Sequence, residues 1–481
     1  MSGEQRRIAN QLTSGLFLAA LLAGAGVLGW LMWQSLEVRM RHDGAILMYS
    51  GWLVGEQGFI PYRDIFDVNM PLTFLWFAGM GALFGWDDTG FRLADVTWLA
   101  LTCGATVFML RRVGWVAAGA AAVLFGVAYL QFGYAMMQRD YILLAPLAIG
   151  VGAVTVLEQR PLFWRALIMG AFIAFAGAIK PHAAVALPVL GLYLLTEPLL
   201  GNEWPRPRTY VRRCGIIVGA AALGALPLTV LLIGWLLWHG AFDDFLDIVF
   251  NYIPLWGSLA HGRAVLDPEE RWAYYWHEWR ALGRFGWWYL AALVGFAYAA
   301  NNTGLDQRQR RYVWLLGGLA VAFSFYPVFS GHFHQYHWTP LLYFLIVLSV
   351  LCLTPPKADQ IWLGRLVPLA VLLFAAWHET GASDGFRTHE RYTRVVPQAG
   401  RTDVIARWLE SRVEPGDRIQ PLDWVWGGTL QAMLETRVPL ATPYIYYAYL
   451  QHHVSDPYIQ HHRARLLERL QEDPPRYIIK V

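Results

Sequence analysis

Of the 481 residues 56% are hydrophobic and only 15% charged, with a mean hydropathy of +0.35, so the chain has too little polar surface to cover a soluble globule and calls for a bilayer as its solvent. A net charge of +3, from 38 basic and 35 acidic residues, leaves no electrostatic footprint for nucleic acid as a partner. Cys103, Cys214 and Cys352 all fall inside apolar runs, where a free thiol behaves as a small hydrophobe, which argues against a disulfide framework or a thiolate metal site.

A spanning helix needs about 20 mostly apolar residues, because no backbone group can be left unbonded in hydrocarbon. The first such run, 15–33, follows Arg6 and Arg7; it is too long for a signal peptide and lacks a cleavage site, so it is predicted to be retained. Further spans are predicted at 93–110, 113–130, 141–157, 163–179, 183–200, 214–238, 285–300, 312–329, 338–353 and 361–377, giving an all-α polytopic membrane protein of about eleven transmembrane helices. Two long loops interrupt them, 35–92 and 239–284. The first carries a shorter apolar stretch, 72–84, expected as a helix lying at the membrane interface. The second is rich in Trp and Tyr (Trp256, Trp272, Tyr274, Tyr275, Trp276, Trp279), residues that favour the headgroup level, and is expected to rest on the membrane.

Short cytoplasmic loops collect Lys and Arg. With a cytoplasmic amino terminus, the inner connections hold Arg111, Arg112, Arg160, Arg165, Arg206, Arg208, Arg212, Arg213, Arg308, Arg310, Arg311, Lys357 and Arg365. Both long loops and the carboxyl terminus then lie outside. Residues 1–378 form the membrane part, and 379–481 turn soluble in composition, with helices at 403–413 and 463–471 and strands at 418–424 and 476–481: a small external α/β domain.

Ionisable groups at membrane depth are costly and are functional candidates by default. Arg139 and Lys180 stand in outer connections that otherwise lack basic residues, and Lys180 is one of three lysines. Asp43 follows the first span at an apolar boundary, and Asp140 begins the fourth beside Arg139, where helix capping is its plain structural role. Asp64 and Asp67 flank Pro61-Tyr62 and Pro71, a turn-stabilising pattern; Tyr62 and Asp64 are also candidate substrate contacts. His332, His334 and His337 cluster in one short outer loop, with His182 at another helix mouth. Three imidazoles suit an anion such as phosphate, and a divalent metal is the alternative; no motif fixes a cofactor. The pairs His452-His453 and His461-His462 read as surface residues of the external domain.

In order and in sidedness these residues resemble the GT-C glycosyltransferases. The resemblance rests on Asp43-Gly44, Gly58-Phe59-Ile60-Pro61-Tyr62-Arg63-Asp64, Asn69-Met70-Pro71-Leu72, Phe91-Arg92-Leu93, Gln138-Arg139-Asp140, Lys180-Pro181-His182, His337-Trp338-Thr339-Pro340 and the ending Pro474-Pro475-Arg476-Tyr477-Ile478-Ile479. It is nearest to the branch holding galacturonosyl-, aminoarabinose and protein O-mannosyltransferases. Gly44 replaces the second of the adjacent acids of the mannosyl enzymes, and Asn69-Met70-Pro71 replaces the Lys-Pro-Pro of the aminoarabinose enzymes, so neither substrate is assigned.

The resemblance implies a polyprenyl-phosphate sugar as donor and an envelope glycolipid, polysaccharide or protein as acceptor. It also implies a plasma (inner) membrane enzyme, active at the periplasmic face, with Asp43 matching the catalytic base and Asp140 the second-loop acid. The expected reaction is an inverting displacement at the anomeric carbon, with Arg139, Lys180 and the histidines holding the departing phosphate. The competing readings are a lipid or glycan transporter and an inactive lipid-glycan scaffold.

Overall fold

The computed structural model describes residues 3–40, 43–131, 136–200, 206–260, 264–354, 363–379, 397–422 and 428–480. Apolar runs dominate the chain, and helices dominate the structure. Among the described residues eight helices are long and apolar enough to cross a membrane: Gly15–Ser35, Asp88–Leu110, Arg139–Val156, Leu162–Ile179, Pro181–Leu199, Pro207–Trp238, Gln307–Ser330 and Gln335–Leu353. Three of the expected spans are shorter, as Trp115–Gln131, Trp287–Ala300 and Leu366–Glu379. The helix starts follow local chemistry. Asp87 accepts from Gly90 N at the head of Asp88–Leu110, and Asp306 with Gln309 forms a reciprocal capping box at the head of Gln307–Ser324.

Leu162–Ile179 lies against Pro207–Trp238 with the backbones almost touching: a Cβ on Gly170 would fall 2.1 Å from the Ala221 carbonyl oxygen, and one on Gly224 would fall 2.0 Å from that of Leu167. In lipid no hydrophobic force drives helices together, so such small-residue crossings carry the packing.

Polar residues divide between the two ends of the helices. At one end Glu158 pairs with Arg112 and Arg308, Glu197 with Arg165 and Arg213 at 2.7 Å each, and Arg311 lies 4.0 Å over the Tyr193 ring. At the other end of the same helices stand Asp140, Lys180, His182 and Ser330. Five of the arginines expected in the inner connections, Arg112, Arg165, Arg213, Arg308 and Arg311, thus lie at the end of the helices away from the candidate site.

The first long loop holds a helix that the sequence reading did not separate, Asp43–Gly55, with Asp43 as its first residue. It lies against Pro71–Phe84, the stretch expected at the interface, closely enough that a Cβ on Gly51 would fall 2.6 Å from the Phe77 backbone. Phe74 and Phe77 are wholly buried, so this helix is packed into the protein. In the second long loop, helical residues from Phe242 to Gly257 precede the helix Pro268–Ala281, which exposes Trp272 and Trp276 and stacks Trp279 on Phe325.

The C-terminal segment forms helices Pro397–Glu410, Thr429–Glu435 and Pro457–Glu472, with a parallel strand pair Ile419–Pro421 and Tyr477–Ile479. The expected strand at 418–424 runs partly outside the described residues. This segment sits on both long loops: Arg39 bonds Asp88 and Asp403 at 2.7 and 2.6 Å and also Glu435, Phe66 N donates to Pro443 O, and Tyr252 Oη donates to Tyr449 O. His462, read from sequence as a surface residue, is buried with Nδ1 2.9 Å from Tyr444 Oη, and burial pushes its pKa down to about 4. His453 bonds Ser258 Oγ at 2.8 Å.

Candidate functional site

A cavity of about 760 Å³ opens where the two long loops, the helix mouths and the C-terminal segment meet. Three local features turn charged side chains into it. First, Met137 adopts φ 50° and donates its N–H to Tyr129 Oη, which itself donates to Asp95; Asp95 pairs at 2.7 Å with Arg92, and both are wholly buried. That anchored turn starts the helix bearing Arg139 and Asp140. Second, Pro181 forces Lys180 into extended backbone (φ −149°, ψ 113°), ending Leu162–Ile179 and swinging the lysine inward. Third, residues 58–70 form a tight loop in which Asp64 accepts from Ile60 N and pairs with Arg63 at 2.8 Å, while Tyr62, at φ 73°, donates to Asn69 O at 2.7 Å. Tyr62 and Asp64, expected as substrate contacts, shape the loop and are not among the residues that line the cavity.

Asp43 lines the cavity with a carboxylate oxygen 3.7 Å from Arg139 Nη2. Arg139 Nη1 donates to Asn69 Oδ1. Asp140 is wholly buried, accepts from Lys180 Nζ at 2.7 Å and stands behind that lysine, outside the cavity lining; its carboxylate does not cap the helix. Lys180 itself lines the cavity, 5.5 Å from the centre of the Tyr326 ring.

His182, His332, His334 and His337 all line the cavity. His337 Nδ1 lies 2.8 Å from the His332 carbonyl oxygen. A carbonyl only accepts, so Nδ1 carries the proton and Nε2 of the neutral ring is an acceptor. The His332 ring packs on Trp256 at 5.4 Å and on His334 at 5.7 Å. These rings are layered and do not converge; among the described residues no group of three or more His, Cys, Asp or Glu side chains is placed to hold a metal ion.

Asn69, known from sequence only as part of a motif, and Trp256 and Tyr275, expected at the membrane surface, also line the cavity, as do Tyr336, Arg271, Tyr446 and Tyr449, which no sequence signal marked. Asp67, read as a turn former, also lines the cavity. It is buried, accepts from Asn69 N at 2.8 Å and Asn69 Nδ2 at 2.6 Å, and burial pushes it up to about 6 against the opposing pull of Asn69 and Arg139. Arg271 makes no ion pair with a described carboxylate, and its buried Nε has no hydrogen-bond partner.

No family model matches the sequence, and no curated protein matches it. Solved structures do match in three dimensions, two of them of one protein. ArnT from Cupriavidus metallidurans bound to undecaprenyl phosphate superposes with a TM-score of 0.57 at 14% identity, over 88% of this chain and 85% of that one. The same protein in the apo state gives 0.52 at 16% identity, over 90% and 86%. The chain has a GT-C fold. Within this GT-C frame the first-loop Asp43 and the second-loop Arg139 come together across about a hundred residues of sequence. Tyr446 and Tyr449 had no local signal, because only the docking of the C-terminal segment brings them to the cavity.

Proposed function

We propose that this GT-C protein is a membrane glycosyltransferase that moves a hexosyl or pentosyl group from a polyprenyl-phosphate donor to an envelope glycolipid, glycan or protein at the periplasmic face of the inner membrane. The observation that carries the reading is a single cavity in which the Asp43 carboxylate stands beside Arg139 and shares the space with Lys180 and Arg271. A likeness in fold to a protein bound to undecaprenyl phosphate adds support for the lipid carrier.

Asp43 removes the proton from the acceptor hydroxyl or amine as that group attacks the anomeric carbon. The bond from that carbon to the phosphate oxygen breaks with its electron pair staying on the lipid phosphate, and configuration inverts. Charge gathers on the leaving phosphate, where preorganised cations lower the barrier by several kcal/mol in a dry site. Lys180 and Arg271 supply that charge. Asp140 acts through Lys180 by fixing its ammonium in place. Arg139 sets its positive charge beside Asp43, and His337 Nε2 offers an acceptor for a sugar hydroxyl.

The test uses purified protein with a polyprenyl-phosphate sugar and an envelope extract. Wild type should release free polyprenyl phosphate as the sugar reaches the acceptor, and Asp43→Asn should cut turnover by about 10²–10⁴-fold with donor binding retained. A transporter or scaffold would release none, and full turnover by Asp43→Asn would remove the base from the mechanism.

A further inference from the structure

The acid beside the proposed base is held by a chain of contacts that the reaction scheme does not use. Asp67 Oδ1 accepts from both the backbone N–H and the side-chain Nδ2 of Asn69, with Tyr449 Oη 3.5 Å away. With Nδ2 turned onto that carboxylate, Asn69 Oδ1 faces Arg139 and accepts from Nη1, while Nη2 of the same guanidinium lies 3.7 Å from Asp43. The opposite amide orientation would set oxygen against the Asp67 carboxylate and NH₂ against the guanidinium, two repulsions at once. The charge of Asp67 therefore dictates which way Asn69 points, and Asn69 dictates where Arg139 stands.

We propose that Asp67 and Asn69 are positioning residues that anchor Arg139 beside Asp43, a role that rests on the transferase reading for its use but not for its geometry. A general base must remain ionised without surrendering its lone pairs to a salt bridge. At 3.7 Å the guanidinium is beyond hydrogen-bond length yet sets a positive charge close to the carboxylate. Asn69 secures one arm of the fork, so the other stays at that distance. The groups facing Asp67 are Arg139, Asp43, Tyr62, Tyr252 and Tyr449, and Arg139 is the one cation among these. Tyr449 joins the C-terminal segment to the same arrangement.

The direct test needs no turnover. In a chain carrying Cys103→Ala, Cys214→Ala and Cys352→Ala, the thiol of an Asp43→Cys variant reports the field of Arg139 through its alkylation rate, since the thiolate reacts and a nearby cation favours it. Adding Asn69→Ala, which frees the guanidinium while leaving the Asp67 charge in place, should slow alkylation at pH 7.5 by about 3–10-fold, as half to one unit of thiol pKa is lost. Asp67→Asn removes both the anchor and a negative charge facing position 43, so it should slow alkylation once its rate is divided by that of the same change made in the Arg139→Ala background. In an Arg139→Ala background Asn69→Ala should leave the rate unchanged, and Asp67→Asn should only raise it. An unchanged rate, or the same slowing without Arg139, overturns the anchor. In transfer assays Asp67→Asn should lower kcat with KM for the donor nearly constant; a raised KM at constant kcat would make Asp67 a substrate contact and sink the positioning role. A wild-type chain that transfers no sugar would defeat the transferase reading alone, because the thiol measurement decides the anchor separately.

Discussion

Lys180 and Asp140 illustrate at single residues how burial assigns roles. Both were candidates from sequence as ionisable groups at a helix mouth, yet the lysine faces the cavity and the aspartate stands wholly buried behind it. Removing one partner of a buried pair leaves an uncompensated charge and costs about 3–5 kcal/mol. Asp140→Asn should therefore lower the melting temperature in detergent markedly, and Asp140→Asn with Lys180→Met should recover much of it while transfer stays near zero. Asp67 makes a pH prediction. Its folded value of about 6 lies above the ordinary 3.8, so the folded protein holds this proton where the unfolded chain has lost it. The burial cost of the charge is then present above about 6 and is relieved as pH falls toward 4, a change of about 2–3 kcal/mol. The melting temperature of wild type relative to Asp67→Asn should rise from pH 7.5 to pH 5; a constant difference would contradict this. The same ionised form that costs stability is the one that orients Asn69. Asp67 was legible only as a turn former because its loop neighbours, Pro61 and Pro71, explain it locally.

At the scale of elements, helices carry the site by where they stop. Leu162–Ile179 ends at Pro181 and delivers Lys180, and its placement depends on the crossing with Pro207–Trp238. Gly170→Val has no room against the Ala221 backbone, so it should separate the helices, lower thermal stability by about 1–3 kcal/mol and reduce transfer by displacing Lys180; thermal melts and turnover read both. The helix Pro268–Ala281 exposes Trp272 and Trp276 while Arg271 and Tyr275 line the cavity. Trp272→Ala with Trp276→Ala should raise KM for the lipid donor several-fold with kcat little changed, if the outward face meets lipid. The apolar runs made the long helices plain in the sequence. Asp43–Gly55 was missed because an apolar stretch of about nine residues, from Ala45 to Leu53, is short for a span and was absorbed into the loop.

For the whole molecule, the C-terminal segment is joined to the membrane part through Arg39, whose guanidinium meets Asp88, Asp403 and Glu435. Burial pushes Glu435 up, with Asp88 and Asp403 adding to it and Arg39 opposing. Arg39→Gln would leave three carboxylates facing one another. Their repulsion is present while they are ionised and eases as protons bind, so the loss in melting temperature should be larger at pH 8 than at pH 5. Loss of that contact should also depress transfer, since Tyr446 and Tyr449 reach the cavity from the same segment.

Composition and apolar run length by themselves determined that this is a membrane protein and where its long helices lie. These are local quantities, written into about 20 consecutive residues at a time. Only the tertiary structure decided that Asp140 serves Lys180, that Tyr62 and Asp64 serve the loop, and that Asn69, Arg271 and Tyr449 share one cavity with Asp43. Those relations join side chains tens to hundreds of positions apart, and whether a charge faces a cavity or a partner depends on packing that no local pattern encodes.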